Sequence, residues 1–166
     1  MALFVQGCHF HCKGCFNQET WDFHGGKWWS IGAKKEFLNL VDRPYIQRVS
    51  ILGGEPLCDE NVPYVFGLMQ EIKSKFPEKK IWLYTGYCVD DVFEDKSYYN
   101  VRLRVAAIAM ADVVVDGQFQ IENQDLYNEK IVFAGSTNQR VLRKKDIFEI
   151  AKAKGVTLEE NQDQVS

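Results

Sequence analysis

The sequence has no apolar run that could cross a bilayer. Its longest uninterrupted apolar stretch, residues 105–111, falls far short of the roughly 20 residues that a transmembrane helix needs. Residues 1–6 also lack the basic and apolar regions of a secretory signal. We therefore expect a cytoplasmic protein that has reduced thiols and no membrane partner.

The charge balance and the composition exclude two further classes. The chain carries 20 Lys and Arg against 23 Asp and Glu, and no long run of one sign attracts nucleic acid through bulk electrostatics. With 46% hydrophobic residues, its composition is that of a folded protein rather than a disordered chain. Because 166 residues contain no repeat, low-complexity tract or long linker, we expect a single domain over 1–166 and no nucleic-acid partner.

Short apolar runs alternate with helical patterns along the chain. Strands are predicted at 3–5, 49–52, 81–84, 113–115 and 131–133, and helices at 33–41, 65–76, 101–111 and 145–154. Asn61 is a plausible cap for the second helix, and Pro63 fits its first turn. This order predicts an α/β fold, either a small partial (βα) barrel or an open parallel sheet, with ligands at the carboxyl ends of the strands.

Cysteine spacing gives the first chemical signal. Three of the five cysteines form a C-x3-C-x2-C loop directly after the first predicted strand: Cys8, Cys12 and Cys15. In a reduced compartment such crowding indicates a metal or a cluster rather than disulfides. Three thiolates can hold three corners of a 4Fe-4S cluster and leave the fourth iron open to substrate. The spacing also permits zinc with a histidine as fourth ligand, or a cluster closed by Cys58 or Cys88.

The second predicted strand ends in Gly53-Gly54-Glu55-Pro56, which gives the second signal. Two glycines would let a ligand approach the backbone. Pro56 biases Glu55 toward an extended conformation, so that its carboxylate projects from the strand end. A carboxylate placed in this way can accept a charge-assisted hydrogen bond from a ligand ammonium group, although a plain surface turn would use the same residues.

Together, the cysteine motif and the downstream Gly-Gly-Glu-Pro resemble the radical S-adenosylmethionine superfamily. Further segments, among them Gly14 and residues 81–87, 112–117 and 135–140, narrow this resemblance. Within the superfamily the sequence is similar to the activating proteins of anaerobic (class III) ribonucleoside-triphosphate reductases. The similarity extends from residue 3 to about 142, which implies a core over 1–143 and a variable C-terminal extension over 144–166.

The resemblance implies two cofactors and a radical reaction. The cofactors are a 4Fe-4S cluster with three cysteine ligands and one open iron, and S-adenosylmethionine bound at that iron. One electron splits the sulfonium into methionine and a 5'-deoxyadenosyl radical. That radical takes a hydrogen atom from a glycine of the reductase large subunit and leaves a glycyl radical. A flavodoxin-type electron donor is implied by the same analogy.

The resemblance also implies which residues form the site, in two groups. The expected metal ligands are Cys8, Cys12 and Cys15. The expected cofactor-binding residues are Gly53, Gly54, Glu55, Thr85 and Asp116, with Glu55 accepting a hydrogen bond from the amino group of S-adenosylmethionine.

Three alternative functions differ in what they bind. An activase of another glycyl-radical enzyme, of the formate-lyase type, would share the chemistry and differ in partner, but the chain has no room for a second cluster domain. A small-molecule radical S-adenosylmethionine enzyme of the deazaguanine type would act on a free heterocycle without a protein partner. A zinc-stabilised binding module would bind zinc and ignore S-adenosylmethionine.

Overall fold

The computed structural model describes residues 1–97, 99–125 and 133–158, in which five strands form one sheet in chain order. The strands are β1 (Ala2–Val5), β2 (Arg48–Gly53), β3 (Lys80–Tyr84), β4 (Val113–Asp116) and β5 (Arg140–Arg143). Strands β1 to β4 are parallel, and β5 pairs with β4 in the antiparallel sense. This sheet confirms the predicted open α/β fold, with an antiparallel edge strand added to it.

Four helices in the described residues lie in the connections between these strands, and a fifth follows β5. They are α1 (Ile31–Val41), α2 (Val62–Lys75), α3 (Val89–Glu94), α4 (Tyr99–Met110) and α5 (Lys144–Ala153). Four of them agree with the predicted helices to within three residues at each end. The exception is α3, whose six residues are too few to show a helical period in the sequence. No helix in the described ranges combines the length and apolar character needed to span a membrane.

Capping differs between the first two helices. The Ser30 hydroxyl accepts a hydrogen bond from the backbone N–H of Ala33, 3.1 Å away, and so caps α1. Asn61 stands at the N-cap position of α2, as predicted, but its side chain makes no capping hydrogen bond. Its side-chain amide instead donates to the backbone carbonyls of Gln6 (2.9 Å) and Glu55 (3.0 Å). Pro63 lies in the first turn of α2, as predicted.

Alternate residues of the central strands pack against the helices. The fully buried strand residues Val49, Ile51, Ile81, Leu83 and Val114 join one hydrophobic core with residues of α2, α4 and α5. Burying each such side chain contributes about 1.5 to 3 kcal/mol, so this face holds the sheet and helices together. Helix α5, at the start of the predicted C-terminal extension, contributes two buried residues to the same core.

The fifth strand of the sheet, β5, lies further along the chain than the strand predicted at 131–133. Of the predicted strand at 131–133, residues 131 and 132 lie outside the described residues, and Phe133 is in a turn with a φ of 138°. The observed β5 reads Arg-Val-Leu-Arg, with only two apolar residues between two charges. Such a short, charged edge strand lacks the continuous apolar run of a central parallel strand.

Parallel pairing brings the loops that follow β1, β2 and β3 to one edge of the sheet. The cysteine loop (residues 7–15) follows β1, the Gly-Gly-Glu-Pro loop (residues 53–57) extends from β2, and Thr85 follows β3. Segments that lie far apart in the sequence therefore meet where an open α/β sheet places its ligands.

Candidate cluster and cofactor site

The cysteine loop is held by backbone hydrogen bonds to the segment that follows it. Gly7 N–H donates to the Thr20 carbonyl (2.8 Å), and Cys8 N–H donates to that of Trp21 (3.1 Å). Within the loop, Cys15 N–H donates to the Cys12 carbonyl at 3.0 Å. Cys8 is buried, whereas Cys12 and Cys15 are half-buried. The fold thus fixes the three thiols while leaving two of them open to an incoming group.

The glycines after β2 allow the first two loops to touch. Gly54 N–H donates to the Val5 carbonyl (2.8 Å), and Glu55 N–H donates to that of Gly7 (2.7 Å). A Cβ atom on Gly54 would lie 2.2 Å from the Gly7 oxygen, and one on Gly53, whose φ is 113°, would lie 2.6 Å from that of Val5. The most direct reason for both glycines is therefore this backbone contact, which the sequence alone did not reveal.

Glu55 is a buried carboxylate held by three donors. Its side chain accepts hydrogen bonds from the Thr85 hydroxyl (2.7 Å) and the Leu57 N–H (2.8 Å) at Oε1, and from the Gly86 N–H (2.7 Å) at Oε2. Burial raises the pKa of Glu55 to about 7, while these hydrogen bonds favour its ionised form and oppose that rise. The carboxylate is fixed in place and can change its charge near neutral pH.

A single cavity of about 570 Å³ joins these parts. Its volume lies within the range of about 300–1,000 Å³ that is usual for small-molecule sites. Seven of the eight predicted site residues line it: Cys8, Cys12, Cys15, Gly53, Gly54, Glu55 and Thr85. The three thiols and the buried carboxylate thus face a common space large enough for a ligand.

Asp116, the eighth predicted site residue, is directed elsewhere and does not line this cavity. It is 1% exposed and accepts a hydrogen bond from the Val89 N–H at 2.9 Å. The Arg140 guanidinium donates to both carboxylate oxygens, from Nε at 2.9 Å and from Nη2 at 2.5 Å. The same guanidinium contacts Asp90 (2.7 Å) and the Cys88 sulfur (3.3 Å). These four residues form the Arg140 network, which joins β4, β5 and α3.

The rim beside β4 is organised by Gln139, which sequence reasoning left without a role. Its side-chain oxygen accepts from the N–H groups of Gly135 (2.8 Å) and Ser136 (3.2 Å), and its amide donates to the Gly117 carbonyl (2.8 Å). Ser136 is fully buried and accepts from the Gln120 N–H at 3.2 Å. A Gly-Ser-Thr-Asn-Gln segment looks like a polar loop, and only its long-range contacts show what it holds.

The donor set at the cysteine loop fits a cluster better than a single zinc ion. In the described part of the chain, the group with three ligand atoms within 4.8 Å of one another is Cys88, Asp90 and Asp116, and the three loop sulfurs do not form such a group. Tetrahedral zinc with bonds of about 2.3 Å would need its sulfurs about 3.8 Å apart. In a 4Fe-4S cluster each thiolate binds a different iron, which suits a wider spacing.

The other candidate ligands have partners of their own outside this cavity. Cys58 is buried outside the cavity, and burial raises the pKa of its thiol to about 12. Cys88 belongs to the Arg140 network. His9 pairs with Glu60 at 2.9 Å, and the His11 ring stacks on Trp21 with centroids 4.6 Å apart. None of these four side chains lines the cavity among the described residues, whereas the three thiols of the cysteine loop do.

Comparisons with known proteins support a 4Fe-4S domain. The family described as a 4Fe-4S single cluster domain matches residues 1–142. The chain is 33% identical over 141 residues to the anaerobic ribonucleoside-triphosphate reductase-activating protein of Enterobacteria phage T4, covering 85% of this chain and 81% of the relative. The protein of that name from Escherichia coli K12 is 34% identical over 84% of this chain and 85% of its own length. The one from Haemophilus influenzae is 33% identical over 86% of each chain. No solved structure matches significantly.

Proposed function

Because the chain belongs to the family of anaerobic ribonucleoside-triphosphate reductase-activating proteins, with a 4Fe-4S single cluster domain, we propose that it activates such a reductase. In this proposal Cys8, Cys12 and Cys15 hold the cluster, and S-adenosylmethionine is cleaved reductively beside it. The observation that carries the proposal is that these three thiols and the buried Glu55 carboxylate line one cavity.

The bound cofactors supply the radical chemistry. A flavodoxin-type donor would reduce the cluster, and one electron from the cluster would split S-adenosylmethionine into methionine and a 5'-deoxyadenosyl radical. That radical would take a hydrogen atom from a glycine of the reductase large subunit and leave a glycyl radical there. The protein's part is to leave one iron without a protein ligand, to orient the substrate and to exclude water. Asp116, through Arg140, holds β5 against the edge of the site.

Glu55 is the residue that would bind the amino group of S-adenosylmethionine. A carboxylate offers about four lone pairs, and the donors from Leu57, Thr85 and Gly86 use three of them. One acceptor site therefore remains for a ligand ammonium group, and a charge-assisted hydrogen bond is among the stronger ones that a protein makes. Gly53 and Gly54 line the cavity beside it with bare backbone, where the methionyl part would lie.

The test is transfer of the radical to the partner. The protein, reconstituted anaerobically with iron and sulfide, is incubated with a reductant, S-adenosylmethionine and the reductase large subunit, and the glycyl radical is measured by electron paramagnetic resonance. We expect a radical on the reductase, and none when the reductase glycine is replaced by alanine.

Controls with other substrates separate the alternative functions. A radical formed on a formate-lyase and not on the reductase would identify another activase. Release of 5'-deoxyadenosine that depends on a free heterocycle and on no protein partner would identify a small-molecule enzyme. Either result would overturn the proposed partner.

A further inference from the structure

Arg104 is a nearly buried cation on α4 that the proposed chemistry does not use. Its side chain is 12% exposed, and its Nε donates to the Leu57 carbonyl at 2.7 Å. Its Nη2 pairs with Asp59 at 2.5 Å, but the Asp59 side chain is 63% exposed, so this pair alone contributes little to stability. Arg104 does not line the cofactor cavity within the described residues. Its function therefore has to be sought through its neighbours.

The first neighbour, Leu57, connects Arg104 to Glu55. The Leu57 carbonyl accepts from Arg104, and the Leu57 N–H donates to Glu55 Oε1 at 2.8 Å. Leu57 is fully buried, so neither polar group of its backbone can exchange its partner for bulk water. Anchoring the carbonyl in this way fixes the turn that presents the N–H to the carboxylate.

The second neighbour, Tyr87, connects Arg104 to the other two loops. The guanidinium carbon lies 4.6 Å from the centroid of the Tyr87 ring, which is a cation–π contact. The Tyr87 N–H donates to the Thr85 hydroxyl (3.1 Å), which itself donates to Glu55 (2.7 Å). The Tyr87 ring also packs edge-on against Phe10 of the cysteine loop, with centroids 5.0 Å apart.

From these contacts we infer that Arg104 is a positioning residue for S-adenosylmethionine binding, which holds Glu55 in its binding place by joining the loops that follow β1, β2 and β3. The inference rests on the proposed function, because it takes Glu55 as the acceptor for the ligand ammonium group. The positive charge of Arg104 also favours the ionised form of Glu55. An arginine suits this role because its planar fork can donate sideways while its face lies on an aromatic ring, which a lysine cannot do.

A double-mutant cycle tests whether Arg104 acts through Glu55. The dissociation constant of S-adenosylmethionine is measured on the cluster-loaded protein for the wild type, Arg104→Gln, Glu55→Gln and the double variant, by following the change in the cluster's electron paramagnetic resonance signal. We expect Arg104→Gln to weaken binding roughly tenfold, and the double variant to bind no more weakly than Glu55→Gln alone, as for residues that act as one unit. Arg102→Gln, at an exposed position of the same helix, is the matched control and should bind as the wild type does.

Each outcome of the cycle has one meaning. If Glu55→Gln binds S-adenosylmethionine as well as the wild type, the proposed function loses its acceptor residue. If Glu55→Gln binds weakly while Arg104→Gln binds normally, or if the two losses multiply, the inference about Arg104 fails and the proposed function stands. Because Arg104→Gln could reduce cluster loading, Arg104→Lys is measured too. It keeps the charge and should show full iron content with intermediate affinity, and wild-type affinity in this variant would also overturn the inference.

Discussion

Two regions of this protein contain cysteines, the Arg140 network and the cysteine loop, and their side chains are arranged differently. In the Arg140 network, Cys88, Asp90 and Asp116 bring their ligand atoms within 4.8 Å of one another, a spacing that could hold a metal ion. Arg140 occupies this position and supplies the positive charge. In the cysteine loop the three sulfurs do not form such a close group, and the three cysteines line an open cavity. Tight spacing around an arginine marks a structural network, whereas wider spacing around a cavity suits a cluster.

The two regions also differ in the direction in which their surroundings shift the pKa values of their side chains. The Arg140 guanidinium, next to Asp90, holds the pKa of that carboxyl below its usual range, despite partial burial that acts in the opposite direction. In the cysteine loop, burial and mutual repulsion raise the pKa values of the Cys8 and Cys12 thiols. A cationic group bound at the loop would offset this repulsion and favour the thiolates, whereas in the Arg140 network Arg140 already supplies a positive charge to both carboxylates.

The largest expected effect is the loss of the cluster from the cysteine loop. Replacing Cys12 by alanine (Cys12→Ala) removes one of the three proposed ligands, so reconstitution should give iron and sulfide contents near background. The matched control is Cys88→Ala, which removes a half-buried thiol from the Arg140 network and should leave the cluster intact. Equal loss of iron from both variants would contradict the distinction between the two regions.

Next in size is the loss of cofactor affinity when the carboxylate is removed. Glu55→Ala should keep the cluster and weaken S-adenosylmethionine binding by about 1.5 to 3 kcal/mol, the range for a hydrogen bond to a charged group. Binding is measured by equilibrium dialysis on protein of equal iron content. Unchanged affinity would remove Glu55 from the site.

Breaking the Arg140 network should affect stability rather than binding. Asp116→Asn weakens a pair in which the carboxylate is 1% and the arginine 41% exposed. Because the arginine remains hydrated, we expect a loss of about 2 kcal/mol in the free energy of unfolding, less than the roughly 3–5 kcal/mol for a fully buried pair. Urea unfolding of the apo-protein measures it. A drop in S-adenosylmethionine affinity at unchanged stability would instead support the cofactor contact expected from the family resemblance.

The smallest expected effect is a pH dependence that comes from Glu55. The pKa of Glu55 in the folded apo-protein is raised from 4.5 to about 7. The contribution of the neutral carboxyl group to the stability of the fold is therefore fully present below pH 4.5, and it is lost as the pH rises through 7. A ligand ammonium group prefers the ionised form. Affinity for S-adenosylmethionine should therefore fall severalfold from pH 8 to about pH 6, and Glu55→Gln should flatten the profile. A wild-type profile that matches that of the variant would assign the titration to another group.

The sequence could predict the parts of the site that are local in the chain. Cys8, Cys12 and Cys15 form one short motif, and Glu55 stands in a four-residue motif at a strand end, so both could be selected as candidates from the sequence. The contacts that hold them are not local. Arg104 reaches Leu57 across 47 residues, and Arg140 reaches Asp116 across 24. The sequence around an isolated arginine on a helix or a short strand contains no pattern that predicts such a distant partner.

The same limit explains the errors in the fold. The four parallel strands are apolar runs and could be located, but β5 has only two apolar residues and gains its pairing from β4. Asn61 has the side chain of a helix cap, and nothing nearby in the sequence shows that the Gln6 and Glu55 carbonyls compete for its amide. Where tertiary contacts decide a residue's role, local patterns fail.

The most direct test of the central claim is low-temperature electron paramagnetic resonance of the reconstituted, reduced protein with and without S-adenosylmethionine. If three thiols hold a cluster with an open iron beside Glu55, the reduced protein gives a 4Fe-4S signal, and S-adenosylmethionine changes it. A 4Fe-4S signal that S-adenosylmethionine leaves unchanged, or bound zinc in place of a cluster, would contradict this account.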